Sequence, residues 1–506
     1  MNCSSSFSLS ESEQIRQLQQ QLQWAELKIQ VLEERLRLHL LAKYGPASEK
    51  LNDAQLKLLE QEPGVSYTEV QAESERAAEP SVVRARERRP HPGRQELPAH
   101  LPRREKILPC SPEQCTCRAC GGETTVIGYE QSEPLDVEPA QYFVWVTKRE
   151  KRACRCCPER GVTAAALPAR MIDKSLVSDR VVIDAVVAKY CDYLPLYRQS
   201  VMLERDTGLA ISRATLDGWV MRVGALLLPV AAVIGRELLS SSYLQADETP
   251  VAVQMHDRRG KNHQAYLWQY GRPGGSVVFD FQLGRGRDGP QRFLRDFHGL
   301  LQTDGYVAYE GVGGAGMVQA ACWAHARRKF LEALKLHPED RVAARLVSQI
   351  DDLFAIDAEA RSVPLDHTAR HRLRLERAQP LLDRLKPQIE AAQADSLPAS
   401  AVGKAARYTL ALWQKLTRFL DHPELELSTN LAENSMRPLA LGRKNWIHLG
   451  SPQAGPKVAA ILSVVESCRR LRLPVRNYFT EILPGLADAS IQQLKERTPT
   501  AWAARR

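Results

Sequence analysis

A chain of 506 residues is too long for one hydrophobic core, so two or three folded units joined by linkers are expected. Its 44% hydrophobic content excludes a wholly disordered protein, and a net charge of +9 favours a polyanionic partner such as nucleic acid. No run approaches the roughly eighteen uncharged apolar residues of a membrane span, and the polar stretch after Met1 lacks a signal-peptide core, so a cytoplasmic protein with no membrane partner is expected.

From Ile15 the apolar residues fall at Ile15, Leu18, Leu22, Ala25, Ile29, Leu32 and Leu36, alternating spacings of three and four. This heptad seam predicts a coiled coil that joins copies of the chain into a homo-oligomer; a single amphipathic helix packed on its own domain is the other reading. The helix should stop at Tyr44-Gly45-Pro46, since proline cannot extend it. Residues 61–107 are rich in Pro, Glu and Arg and poor in aromatics, which predicts a linker. Its basic patch, Arg84 to Arg94 with Arg103, Arg104 and Lys106, reads first as a solvated charge run and second as a phosphate contact.

Eight of the eleven cysteines lie between Cys110 and Cys191, a density that in a cytosolic chain points to metal ligands before disulfides. Cys117-Arg-Ala-Cys120 and Cys154-Arg-Cys-Cys157 form two knuckles around a strand-like stretch from Thr124 to Lys151. Four thiolates in two pairs predict a closed, structural zinc site on Cys117, Cys120, Cys154 and Cys157. A redox pair or unrelated buried thiols are the alternatives, and Cys110, Cys115 and Cys156 leave the ligand choice open.

Between Ser178 and Leu226 lie helical patterns broken at Asp206-Thr207-Gly208-Leu209, the second beginning at a Ser-capped turn that shows Arg213. This predicts a helix-turn-helix that reads DNA, with a generic helical hairpin as the plain alternative. Strands are then predicted near Tyr243–Val253, His263–Tyr270 and Ser276–Phe281, a helix from Pro290 to His298, a strand ending at Asp304 and a fifth strand from Met317 to Trp323. That order matches a ribonuclease-H-like core, in which the first and fourth strands are neighbours and bring Asp247 and Asp304 together.

Asp247 on a strand, Asp304 at a strand end and Glu433 at a helix start form the three-carboxylate set that a two-magnesium phosphoryl-transfer site requires. Glu248 is expected to point to the opposite face from Asp247. His325, Arg327, Arg328 and Lys329 open the next helix, either to hold DNA phosphates or as a solvated face. Helical patterns fill residues 331–425, an all-helical insertion with no expected catalytic residue. Arg437 shares a helical face with Glu433. Arg443 and Lys444 follow, then an extended Asn445–His448, a helix from Val458 to Leu471, a helical appendage and a frayed end.

Tyr44-Gly45-Pro46-Ala47-Ser48-Glu49-Lys50, the cysteine knuckles, Leu194-Pro195-Leu196-Tyr197-Arg198-Gln199, Gln302-Thr303-Asp304-Gly305-Tyr306, Cys322-Trp323-Ala324-His325-Ala326-Arg327-Arg328 and Leu441-Gly442-Arg443-Lys444-Asn445-Trp446 occur in this order. Over nearly its whole length the chain resembles the transposases of bacterial insertion sequences of the sixty-six family. The resemblance implies a multidomain α+β DDE transposase with a ribonuclease-H-like, retroviral-integrase-like core. Its catalytic acids would be Asp247, Asp304 and Glu433, using two Mg²⁺ ions, which Mn²⁺ could replace, beside a structural Zn²⁺. Around the third acid, Thr429 precedes Asn430 and Asn434 follows Glu433 where many members carry a second Asn and an Arg, while Arg437-Pro438 and the Gly-Arg-Lys-Asn run are kept.

The implied layout is a coiled coil (1–60), linker (61–107), zinc-binding domain (108–165), helical DNA-binding region (166–238), core (239–330), helical insertion (331–425), core again (426–472) and C-terminal appendage (473–506). The implied reaction frees a 3′-hydroxyl at each element end and joins it to target DNA. DNA contacts are expected from Arg213, His325, Arg327, Arg328, Lys329, Arg437, Arg443 and Lys444, and element-encoded accessory proteins are expected partners. A DNA-binding regulator with structural acids, a nuclease that cuts without joining, and a decayed copy that still folds each fit part of the pattern.

Overall fold

The computed structural model describes residues 175–255 and 261–505, with 141–153, 162–166, 168–172 and a few isolated earlier positions. The heptad seam, the linker up to residue 106 and the four predicted zinc cysteines lie outside the described residues. The chain divides into two compact units, one of residues 78–165 and one dominated by residues 166–506.

In the smaller unit, β1 (Lys151–Ala153) pairs antiparallel with β2 (Val162–Ala164), so the second cysteine knuckle falls in the connection between them. Residues 141–150 form no strand, although the sequence reads as one; Phe143, Val144, Trp145 and Val146 are exposed there. Their continuous apolar run finds no pairing strand among the described residues, and β structure starts only at Lys151.

The larger unit opens with α1 (Asp179–Tyr190), α2 (Leu196–Thr207) and α3 (Arg213–Leu239). Gly208 ends α2 in the left-handed conformation, and the Ser212 hydroxyl caps α3 by accepting the Thr215 N–H. These local signals are as expected, but the region is not a separate one. α3 runs 27 residues, through Pro229, and is long and apolar enough to cross a membrane by length and composition; it is instead a core helix. Val220, Val223, Leu227, Val230 and Ile234 are buried in the same apolar cluster as the sheet.

The sheet contains β3 (Tyr243–Gln254), β4 (Asn262–Gly271), β5 (Val277–Gln282), β6 (Leu300–Thr303) and β7 (Val318–Ala321), in the order β5-β4-β3-β6-β7. The first three strands form an antiparallel meander, and β6 and β7 add in parallel on the other side of β3. A short helix, α4 (Asp288–Leu294), links β5 to β6. The expected neighbourhood of first and fourth strands is therefore observed.

Side chains alternate between the faces of β3 and β6. Leu244, Ala246 and Leu301 enter the cluster built with α3 and α12 (Ala454–Arg470), whereas Tyr243 and Leu300 enter a second cluster with the helical block. That block comprises α5 (Trp323–Leu336), α6 (Arg341–Ser362), α7 (His367–Leu373), a π-helical turn (Arg374–Ala378), α8 (Gln379–Asp395), α9 (Ala401–Ala411) and α10 (Trp413–Leu416).

The chain returns to the sheet through residues 425–429 into α11 (Asn430–Trp446). Asn445 and Trp446 are helical rather than extended; only Leu449 adds to the sheet, exchanging backbone hydrogen bonds with Ala252 and Gln254 at 2.9 Å. The C-terminal end is not frayed. After α12 come α13 (Val475–Ile482), α14 (Ile491–Glu496) and α15 (Pro499–Ala504). Trp502 is buried edge-on against Tyr478, and Thr500 bonds Ser276 beside β5, because a large apolar ring at the end of an amphipathic helix is held by burial.

Candidate active site

β3 and β6 run parallel with Gln245 opposite Gln302, and the same offset sets Asp247 level with Asp304, one residue past the end of β6. Asp304 thus stands at the carboxyl end of β6, beside Asp247 in the first half of the longer β3. Asp304 is fixed locally: its Oδ1 accepts the Tyr306 N–H at 2.8 Å, and its carbonyl accepts the Tyr408 hydroxyl from α9. Gly305 takes φ +88°, and a Cβ there would lie 2.5 Å from Leu412, so the turn after Asp304 needs glycine on both counts.

Glu433 lies in the first turn of α11. Its carboxylate is met by His325 Nε2 at 3.3 Å and by Arg328 Nη2 at 3.2 Å, both from α5. Burial pushes the Asp247 carboxyl up to about 7, and the negative charges of Glu433 and Glu248 add to that, against the backbone N–H of Glu248 and the charge of His325. Burial would pull His325 down, but Cys322 and Glu433 outweigh it and raise it to about 9. Glu248 faces away from Asp247, as expected, yet it is no bland surface acid. It is buried, held by Arg285 at 2.7 Å and by the Tyr309 hydroxyl at 3.0 Å, and burial raises its carboxyl with help from Asp304.

Among the described residues no three His, Cys, Asp or Glu side chains converge into a ready metal cage. The donor chemistry of Asp247, Asp304 and Glu433 nevertheless fits a hard divalent cation: all are carboxylates, and Asp247 is held toward its protonated form first by burial and then by the charges of Glu433 and Glu248, both of which a cation would offset.

The predicted DNA contacts divide. Arg213 and Lys444 are exposed. Arg437 is half-buried; Lys329, also half-buried, lies 5.1 Å from the Tyr408 ring. Arg443 donates to Thr249 Oγ1 at 3.0 Å and to the Pro250 carbonyl, tying α11 to β3. His325 and Arg328 serve Glu433 directly. Arg327 is not available to a phosphate, because it shares the buried face of α5 with Trp323, Ala326 and Phe330 and is paired with Asp351 of α6, 2.9 Å from Nη2 to Oδ2. Tyr408, in the block expected to hold no catalytic residue, was not legible, since its hydroxyl reaches Asp304 only through the packing of α9.

A family model described as "Transposase IS66 family" matches residues 174–457, spanning all three acids. The chain belongs to that family. Further models match this transposase at residues 31–105, "Transposase C of IS166 homeodomain", and at 114–158, "zinc-finger binding domain of transposase IS66". The first reaches across the stretch read as linker; the second encloses both cysteine knuckles and supports zinc as their ion. Similar proteins from Sinorhizobium fredii include the uncharacterized protein y4jD, 33% identical over 81% of this chain and 82% of its own length. Another is the uncharacterized protein y4qI, 32% identical over 88% of this chain and 84% of its own. As a transposase, this protein has DNA as its partner.

Proposed function

We propose that this transposase binds the ends of its insertion sequence, hydrolyses a phosphodiester at each to free a 3′-hydroxyl, and joins that hydroxyl to target DNA at the site of Asp247, Asp304 and Glu433. The observation that carries the reading is the level placement of Asp247 and Asp304 on adjacent parallel strands, with Glu433 close enough to raise the Asp247 carboxyl. The sheet order supports a ribonuclease-H-like core with a helical insertion. The three carboxylates would hold two divalent cations, Mg²⁺ with Mn²⁺ as substitute, which supply Lewis acidity to both displacements at phosphorus.

The chain's own residues define the rest. The Tyr306 N–H and Tyr408 hydroxyl hold the Asp304 turn, while His325 and Arg328 orient Glu433. Arg213, Lys329, Arg437 and Lys444 are the cations we assign to DNA phosphates. Cys117, Cys120, Cys154 and Cys157 are the proposed zinc ligands, the N-terminal seam the oligomerisation element, the cytoplasm the compartment, and accessory proteins of the element its helpers.

The test combines purified full-length protein, a labelled duplex carrying the element's ends, a target plasmid and Mg²⁺, with Asp304→Asn as control. Joined product that disappears in the control supports the proposal. Cutting without joining identifies a nuclease, and joining that survives Asp304→Asn removes the assignment of that acid.

A further inference from the structure

Two residues before each strand acid stands a glutamine: Gln245 before Asp247, and Gln302 before Asp304. The two-residue period puts all four on one face, and the parallel register sets the glutamines side by side. Both are buried, 2% and 1% exposed, where an apolar pair would ordinarily fill a central sheet position.

Their amides form a short ladder across three chain segments. Gln245 Nε2 donates to Gln302 Oε1 at 3.1 Å, to the Tyr243 hydroxyl at 2.9 Å and to the Ser428 carbonyl at 2.9 Å. Gln302 Nε2 donates to the Glu426 carbonyl at 2.6 Å, and its Oε1 also accepts the Tyr243 hydroxyl. That hydroxyl in turn accepts the Glu426 N–H at 3.3 Å. Residues 426–428 lead directly into α11, whose first turn carries Glu433, and Glu433 N–H bonds the Thr429 carbonyl at 3.1 Å. One buried network thus touches β3, β6 and the entry to α11, the three segments that bear the three acids.

We propose that Gln245, Gln302 and Tyr243 are positioning residues that hold Asp247, Asp304 and Glu433 in mutual register for divalent cation binding, a role that rests on the carboxylate assignment above. A buried polar network is costly where it is unpaired, and here every amide and hydroxyl atom but Gln245 Oε1 has a partner, so the ladder specifies an arrangement that apolar packing would leave free to slip. Strands β3 and β6 share only three paired positions. A parallel pair this short gains little of its register from backbone bonds alone, and the entry to α11 is not a strand at all.

The experiment measures Mn²⁺ binding to the full-length protein by calorimetry, with thermal melting alongside, for the parent, Tyr243→Phe, Gln302→Met, Gln245→Met, the double Gln variant and Asp304→Asn. Tyr243→Phe removes one hydroxyl at nearly constant volume, so it reports even if a Gln variant fails to fold. The expected result is Mn²⁺ binding weaker by about tenfold in each single variant, as for residues that orient metal ligands. The double Gln variant should weaken binding by less than the product of the two, because one network is broken twice. Binding lost in Asp304→Asn but unchanged in Tyr243→Phe and the Gln variants, with only lower melting temperatures, overturns the ladder proposal and leaves the carboxylates standing. Binding unchanged in Asp304→Asn overturns the carboxylate assignment and the ladder with it.

Discussion

Lys189 on α1 is mostly buried, between the rings of Tyr190 at 5.5 Å and Trp446 at 5.7 Å. Burial lowers its ammonium to about 8 from 10.5, only partly opposed by Asp217. Below pH 8 the folded protein carries a desolvated charge that the unfolded chain solvates freely; above it the folded state sheds the proton first, so stability rises with pH from about 8 to 10.5. Lys189→Met should therefore stabilise the protein by about 1–2 kcal/mol at pH 7, with the gain shrinking as pH approaches 10, as read by melting curves across that range. A gain independent of pH would show that the methionine packs better rather than that the charge was costly. The acids were legible at this scale because each sits in a distinctive motif. Their supports were only half visible: the Gln-x-Asp pattern recurs in both strands and could have been read from the two-residue period, whereas Tyr408 lies 104 positions from Asp304 and no local pattern links them. Arg327 was misread for a related reason, since a run of basic residues at a helix start says nothing of which one turns inward.

Elements were legible where a local signal set them, and less so where the surroundings decided. The Gly208 stop and Ser212 start are local, and both are in place. The length of α3 is set instead by α12 packing along it, which keeps the helix going through Pro229 and past the point where the sequence pattern fades. Gly224 marks that contact: a Cβ there would lie 2.8 Å from Lys457 Cβ and 2.9 Å from the Lys457 carbonyl oxygen. Because part of the obstacle is backbone, it cannot swing aside. Gly224→Ala should destabilise by about 1–3 kcal/mol. Gly218, on the exposed side of the same helix with open space around it, is the internal comparison, and Gly218→Ala should stabilise by about 0.5–1 kcal/mol through helix propensity alone. Denaturant titration of the two variants checks this; equal signs would mean that the α3–α12 spacing adjusts freely.

Across the whole molecule, the sheet divides two apolar clusters, and the helical block that interrupts the sequence between Asp304 and Glu433 is tied back to the segment entering α11. The sequence announces the block's helicity but not this tie, because the tie joins residues some fifty to seventy positions apart through charge. Asp357 of α6 is buried with Arg374 at 2.6 Å, Arg361 at 2.8 Å and Arg370 at 2.9 Å, and Arg361 and Arg370 continue to the Glu426 carboxylate at 2.7 and 3.2 Å. Arg374 also donates to the Leu425 carbonyl at 2.7 Å. Burial alone would push the Asp357 carboxyl up, but the three guanidinium groups outweigh it and hold it below its usual range. Its contribution is thus present above the ordinary carboxylate pKa and is lost as pH falls below it. Asp357→Asn keeps the volume and removes the charge, leaving Arg374 buried with carbonyl partners only. Breaking a buried charge cluster from one side should cost about 3–5 kcal/mol. If the cluster clamps the block onto residues 425–428, hydrogen exchange in the variant should quicken in α6, α7 and at Glu426 and Ser428 together, with α3 and α12 unchanged. Exchange that quickens in α6 and α7 alone would mean that the ladder, not the charge cluster, holds the entry to α11.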